Sequence, residues 1–135
     1  DYASRAWPLA EAGLRTLLAG EPRQATHWQR LGIVFLRTGR AGEAVESLGA
    51  ASRLGARDRR TLQNLGLAHL RAAADALRDA AATDAAAGAP VDESARPALL
   101  GTARAIEALL PPELRESRVE PRVDSGIEAR SAVRP

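Results

Sequence analysis

Hydrophobic residues recur every three or four positions along most of the chain, which is the spacing of one face of an α-helix. The predicted helices span residues 8–19, 26–38 and 41–53, with a fourth that begins after Asp58. Gly20 and Gly55 are expected to end the first and third helices, because glycine favours the backbone conformation that closes a helix. Thr26 and Asp58 are the expected caps of the second and fourth helices.

The second half of the chain is rich in alanine. Residues 72–89 include eleven alanines, and alanine is the strongest helix former. We therefore expect the fourth helix to continue to about residue 82. A turn near residues 73–75 that separates two shorter helices is the alternative. Gly88 and Pro90 end the segment in either case.

A last helix is predicted over residues 93–110, with Asp92 as its cap and Pro97 near its first turn. Its apolar stripe suits a helix that covers the end of a helical stack. Residues 111–135 combine arginines, acids and few apolar side chains, so we expect an extended tail that becomes ordered on a partner.

One motif occurs in both the second and the fourth predicted helix. A Leu-Gly pair stands at Leu31-Gly32 and again 34 residues later at Leu65-Gly66. Recurrence at this interval is typical of stacked helix-turn-helix units. The predicted core of these units consists of Trp28, Leu31, Gly32, Phe35, Ala44, Leu48, Ala51, Leu62, Leu65 and Gly66.

This pattern resembles the tetratricopeptide repeat family. The resemblance implies an all-α fold of antiparallel helix-turn-helix repeats (an α-solenoid) with a C-terminal capping helix and an extended tail. The implied divisions are 1–24 as the second helix of a partial repeat, 25–58 as a complete repeat, 59–92 as a degenerate Ala-rich repeat, 93–110 as the capping helix and 111–135 as the tail. They also imply that the chain begins within a longer array.

The same resemblance implies a concave groove, lined by the first helix of each repeat, in which peptides or helices lie. The implied groove residues are Thr26, Gln29, Ile33, Arg37, Arg60, Gln63, Asn64, Leu67 and Arg71. Arginine can hold carboxylates with a planar fork, and side-chain amides can bond a peptide backbone. The family's carboxylate clamp for C-terminal peptides also uses lysine, which this chain lacks.

Charge and composition narrow the classes of partner. Nineteen basic and seventeen acidic residues are interspersed and give a net charge of only +2, so the basic face expected of a nucleic-acid binder is missing. No segment approaches the roughly 18–20 apolar residues that cross a bilayer. We expect no nucleic acid and no direct membrane span, with any membrane association occurring through a complex. The compartment stays open between a cytoplasmic protein and one exported after processing.

Little in the sequence points to catalysis. The chain has no cysteine, and its two histidines, His27 and His69, lack the spacing of a helical metal site. We expect His69 to be a partly buried packing residue and His27 to be exposed. Phosphate-binding glycine motifs and nucleophile elbows are absent. The prediction is no catalytic residue, no metal, no cofactor and no enzymatic activity.

The predicted function is a non-catalytic protein–protein interaction scaffold or accessory subunit of a larger complex. It would bind another subunit or a peptide segment in the groove and through its C-terminal tail. Two alternatives stay open. The chain could be the regulatory or C-terminal region of a larger enzyme, or a structural element that self-associates through its Ala-rich helix.

Overall fold

The computed structural model describes residues 2–83 and 94–115, which form helices joined by short turns. In chain order the helices are α1 (Tyr2–Gly20), α2 (Ala25–Arg37), α3 (Ala41–Arg53), α4 (Arg59–Thr83), α5 (Ala95–Leu109) and α6 (Pro112–Arg115). No strand occurs in these ranges, and the predicted all-α class is confirmed. None of the described helices is long and apolar enough to span a membrane.

The helix boundaries follow the sequence closely between residues 20 and 60. The third helix was predicted without error, and the second lies within one residue of its predicted ends. The first helix begins at Tyr2 rather than at residue 8, so that Pro8 lies inside it. A proline there removes one backbone hydrogen bond, but Trp7 and Ala10 on either side pack against the core and hold the helix together.

The later helices decide between two predictions. The fourth helix runs without a break to Thr83, so the prediction of an elongated helix is confirmed and the turn near residues 73–75 is wrong. The fifth helix lies within its predicted range, and Pro97 is its third residue. Asp92, Gly88 and Pro90 lie outside the described residues.

The two predicted caps have different outcomes. Asp58 caps α4, since its Oδ2 accepts the Thr61 amide at 3.3 Å and its Oδ1 accepts the Thr61 hydroxyl at 2.6 Å. Thr26 does not cap α2 because the helix begins one residue before it. The residue at the cap position is Gln24, and its side chain makes no cap hydrogen bond.

Acid is expected to weaken the start of α4. The hydrogen bond from the Thr61 hydroxyl lowers the pKa of Asp58 below its ordinary value of 3.8, although burial acts in the opposite direction. A group whose folded-state pKa is lowered stabilises the fold fully above its unfolded pKa, and this contribution is lost as the pH falls through the folded-state pKa.

The measurement is the urea midpoint between about pH 7 and about pH 3. We expect the Asp58→Asn variant to lose less stability over this range than the wild type, because asparagine still caps a helix but does not titrate. Asp79→Asn, a change of an exposed acid on the same helix, is the control and should follow the wild type. An equal loss in both variants and the wild type would contradict this role of Asp58.

Helices that are adjacent in the chain pack against one another from α1 to α5, and α2 also contacts α4 and α6. A continuous core results. Its buried members are Leu14, Leu18, Leu31, Val34, Phe35, Leu36, Ala44, Leu48, Ala68, Leu110 and Leu114. Trp28, one of the predicted core residues, is partly buried against this core, and its indole N–H donates to the Pro22 carbonyl at 2.9 Å.

The closest helix crossing joins α2 to α3 at Gly32. A Cβ atom at this position would lie 2.5 Å from Cγ and 3.3 Å from the backbone nitrogen of Leu48, which is fully buried. Only glycine leaves room for that approach. The sequence prediction that Gly32 is small because two helices cross there agrees with this geometry.

The fourth helix corrects the predicted core. Gly66 is exposed, and a Cβ there would meet nothing within 4 Å. Leu62 is 39% exposed, whereas Leu65 is partly buried against the core. The physical reason is that α5, the helix that packs back on α4, does not cover the face of α4 that carries Gly66. The buried residues of α4 are instead Thr61, Ala68, Arg71, Ala74 and Ala81.

Candidate functional site

A small cavity of about 100 Å³ lies between α2, α4 and the segment that joins α5 to α6. We call it the α2–α4 groove. Its lining residues are Ile33, Leu36, Arg37, Arg60, Asn64, Leu67, Pro111, Glu113 and Leu114. Five of the nine residues predicted for the partner groove are therefore brought together, two from α2 and three from α4.

The chain's own segment 110–115 packs into this groove and forms one of its walls. Leu110 and Leu114 are 1% and 4% exposed, and both belong to the core. The prediction of an extended tail from residue 111 is thus wrong for residues 112–115, which form α6. Pro111 and Pro112 end α5, and the chain then turns so that Leu114 is buried. Residues 116–135 lie outside the described part of the chain.

Arg71 holds this segment in place. Its side chain is 5% exposed, its Nη1 donates to the Leu114 carbonyl and its Nε donates to Asp75 Oδ1 at 3.2 Å. The prediction that Arg71 offers a free fork to a partner is wrong, because the guanidinium is buried beneath the chain's own segment. Sequence spacing placed Arg71 on the correct face of α4 but gave no sign of the segment that covers it.

Three other predicted groove residues lie elsewhere. The Gln29 amide nitrogen donates to Asp58 Oδ1 at 3.2 Å and to the Thr61 hydroxyl, so it ties α2 to the start of α4. Thr26 and Gln63 are exposed and are not part of the groove wall. The cavity therefore does not bring these two residues together with the other predicted groove residues.

The mouth of the groove is positively charged. Arg37 and Arg60 are both exposed, and neither forms an ion pair with another described residue. Glu113 faces them from the α6 side of the cavity. The accessible lining of the cavity is mostly polar, and Ile33 and Leu67, which are both partly buried, contribute to its apolar part.

A second charged cluster is structural. Arg40 donates to Glu11 at 2.7 Å and to Glu43 at 2.6 Å, and its guanidinium lies 4.5 Å from the centre of the Phe35 ring. Burial would raise the pKa of Glu11, but hydrogen bonds from Arg40 and Arg15 outweigh it and lower the pKa. The cluster joins α1 to the start of α3, a contact that sequence reasoning missed because its partners are 29 residues apart.

The two histidines have the opposite environments from those predicted. The His69 side chain is exposed, because it lies on the uncovered face of α4 with Gly66. His27 is 12% exposed, and its Nε2 is 3.2 Å from Glu21 Oε1. In the described ranges, no three acidic, cysteine or histidine side chains come together in a way that could hold a metal ion.

An apolar groove of about 430 Å³ lies between α1 and α2, and sequence reasoning did not predict it. We call it the α1–α2 groove. Its lining residues are Trp7, Ala10, Gly13, Leu14, Leu17, Arg30, Ile33 and Val34. The signal for it was a stripe on the first helix that is wider than one buried face, since Leu9 and Leu17 remain 75% and 45% exposed.

No family model, no curated protein and no solved structure matches the chain.

Proposed function

We propose that the chain is a short helical-repeat scaffold of the tetratricopeptide type, which binds a partner protein and has no catalytic role of its own. The recurrence of the Leu-Gly pair and the close crossing of Gly32 on Leu48 support the repeat assignment. The partner is another subunit or a peptide segment that enters the α2–α4 groove.

The observation that carries this proposal is the internal occupant of the groove. The segment from Leu110 to Leu114 buries two leucines four residues apart against α2 and α4, and its carbonyl accepts from Arg71. A surface that binds its own chain in this way has the apolar floor and the donors that a peptide ligand needs. We infer that the part left open is the part that a partner uses.

The open part has room for one side chain. A cavity of about 100 Å³, whose lining is mostly polar but includes Ile33 and Leu67, fits a single side chain. A neighbouring carboxylate on the partner would then lie between Arg37 and Arg60, where paired arginines bind anions strongly. The partner segment is therefore an apolar residue flanked by acids, set beside Leu114 of the chain itself.

Charge reversal at the mouth is expected to abolish this binding. In the Arg37→Glu/Arg60→Glu variant, partner recovery in a quantitative affinity purification should fall at least about tenfold, because rim charges set both association rate and specificity. The matched control is Arg53→Glu/Arg104→Glu, which makes the same charge change at exposed residues of α3 and α5. Undiminished recovery with the first variant would dismiss the groove as the binding site.

The self-association alternative keeps its support in the packing of α4. Ala68, Ala74 and Ala81 are buried within the protein itself, but Ala73, Ala76 and Ala80 are exposed, so small side chains remain available on that face for the close approach of a second copy. The proposed contribution of the C-terminal tail rests on residues 116–135. Deletion of those residues in the same purification tests it, and an unchanged recovery would remove the tail from the proposal.

A further inference from the structure

The short helix α6 limits access to the α2–α4 groove. The open cavity has a volume of about 100 Å³, and α6 forms the wall beside it with Leu114 buried. A segment that binds in a groove between helices usually places several side chains there. Because the open cavity admits only one side chain, a partner that uses the whole groove requires α6 to leave it.

The contacts of α6 can break without leaving a buried polar group unpaired. The amides of Leu114 and Arg115 donate to the Pro111 carbonyl at 3.0 and 3.2 Å, so these hydrogen bonds lie within the segment itself. Arg115 is exposed, and water can replace the hydrogen bonds that its guanidinium donates to the end of α5. Arg71 keeps its hydrogen bond to Asp75 and becomes accessible to water when α6 departs. Leu114 is the buried residue of α6, so its side chain makes the apolar contact that is given up.

Covalent attachment to α5 favours the docked position of α6. The helix spans only Pro112–Arg115, and a helix of one turn is unstable by itself. Pro111 joins it directly to the end of α5, and a tether this short gives an effective concentration on the order of millimolar. A separate segment with the same contacts therefore competes with α6 at a comparable concentration, and a segment with additional contacts competes at a lower one.

The side chains of α6 indicate the chemistry of a segment that can replace it. Leu114 lines the cavity together with Leu67. Glu113 lines the same cavity opposite Arg37 and Arg60, and neither arginine forms an ion pair with another described residue. An acid directly before a leucine therefore complements both the positive charge at the mouth and the apolar position beside it.

We propose that α6 is an internal competitor for the α2–α4 groove, and that a partner segment with an acid followed by a leucine displaces it. This inference rests on the proposed function of the groove and adds a control to it. While α6 is docked, the chain binds such a segment weakly. When the segment binds, residues 112–115 are released into solvent.

The test uses a fluorescent peptide with the sequence of residues 107–115, which contains the acid and the leucine of α6. Its binding to the full chain is followed by fluorescence anisotropy. Leu114→Ser removes the apolar contact of α6, and the matched control Leu109→Ser makes the same change at an exposed leucine of α5. We expect the peptide to bind Leu114→Ser at least about tenfold more tightly than it binds the wild type or Leu109→Ser, because α6 no longer competes for the groove.

Hydrogen exchange in the wild type measures displacement without any variant of the chain. An excess of the unlabelled peptide is added to the isotope-labelled chain. We expect exchange at the Leu114 and Arg115 amides to accelerate at least about threefold, while exchange at the amides of α3 stays the same. A peptide with serine in place of Leu114 is the control and should change neither rate. Unchanged exchange at a saturating concentration of the first peptide would overturn the proposal.

The binding results separate this inference from the proposed function. Equal binding by the wild type and Leu114→Ser would show that the groove takes a peptide beside α6, so that the inference would be wrong and the proposed function would stand. Absence of binding by a folded Leu114→Ser variant would contradict both. Thermal unfolding establishes whether this variant folds, and if it does not, the exchange measurement decides.

Sedimentation identifies a competing occupant of the groove. A wild-type dimer that Leu114→Ser converts to a monomer would show that α6 docks on a second copy of the chain. The proposal that a partner segment displaces α6 from its own groove would then be wrong.

Discussion

Replacing Gly32 with leucine is expected to lower the free energy of unfolding by about 2 kcal/mol or more. The new Cβ would lie 2.5 Å from Cγ and 2.8 Å from Cδ2 of Leu48, and 3.3 Å from its backbone nitrogen. Leu48 is fully buried, so it cannot move aside into solvent. The two helices would have to separate, and their shared core would lose its packing.

A double-mutant cycle measures this crossing directly by urea denaturation. Leu48→Ala alone should cost about 2–5 kcal/mol, because it leaves a cavity in the core. Combined with Gly32→Leu it should cost clearly less than the sum of the two single changes, since the new leucine fills the space that Leu48 vacated.

Gly66→Leu is the matched control for the same substitution without a crossing helix. A Cβ at Gly66 meets nothing within 4 Å, and glycine in a helix interior is about 0.5–1 kcal/mol less stable than alanine. We expect the control to be neutral or stabilising. A similar loss at Gly32 and Gly66, or strictly additive effects in the cycle, would contradict the close crossing.

The contrast between these two glycines shows what the sequence could predict. Periodicity, alanine content and a recurring Leu-Gly pair were sufficient to predict α3, the extent of α4 and the crossing at Gly32, since these depend on residues near one another in the chain. The same pair at Gly66 led to a wrong prediction. Its motif is intact, but its environment depends on whether a later helix returns to it.

The candidate site likewise has one part that the sequence predicts and one part that it does not. Helical spacing correctly grouped Ile33, Arg37, Arg60, Asn64 and Leu67, because they belong to helices whose registers the sequence determines. It could not predict that residues 110–115 fold back onto these helices. That fold depends on the path of the chain after Pro111-Pro112, and the residues of α2 and α4 that line the groove do not determine this path.

Polar contacts between residues far apart in the chain could not be predicted from the sequence either. Arg40 pairs with Glu11 across 29 residues, and Arg78 pairs with Glu107 across the same separation. In the sequence each of these residues is one of many charges, and only the packing of α1 on α2 and α5 on α4 brings them together. The α1–α2 groove was missed because an apolar stripe in a sequence does not predict which of its residues remain exposed in the fold.

Arg71 is expected to stabilise the segment 110–115. Replacing Arg71 with methionine should cost on the order of 3 kcal/mol, because a buried donor to the Leu114 carbonyl is lost while the apolar stem is kept. Only 5% of the Arg71 side chain is exposed, so water cannot readily take its place. Asp75 is 38% exposed and can be solvated, so we expect most of the loss to come from the carbonyl.

The loss should be local as well as global. Leu114 and Leu110 donate their amides to Pro111 and Glu107 carbonyls, and hydrogen exchange at these amides should accelerate more than at the amides of α3. The control is Arg78→Met, which removes the more exposed ion pair to Glu107 between α4 and α5. Such partly exposed pairs contribute about 1 kcal/mol or less. Two results would show that Arg71 does not anchor the segment: equal stability of the two methionine variants, or wild-type hydrogen exchange at residues 110–115. The segment on which the proposed binding groove rests would then be held by its leucines alone.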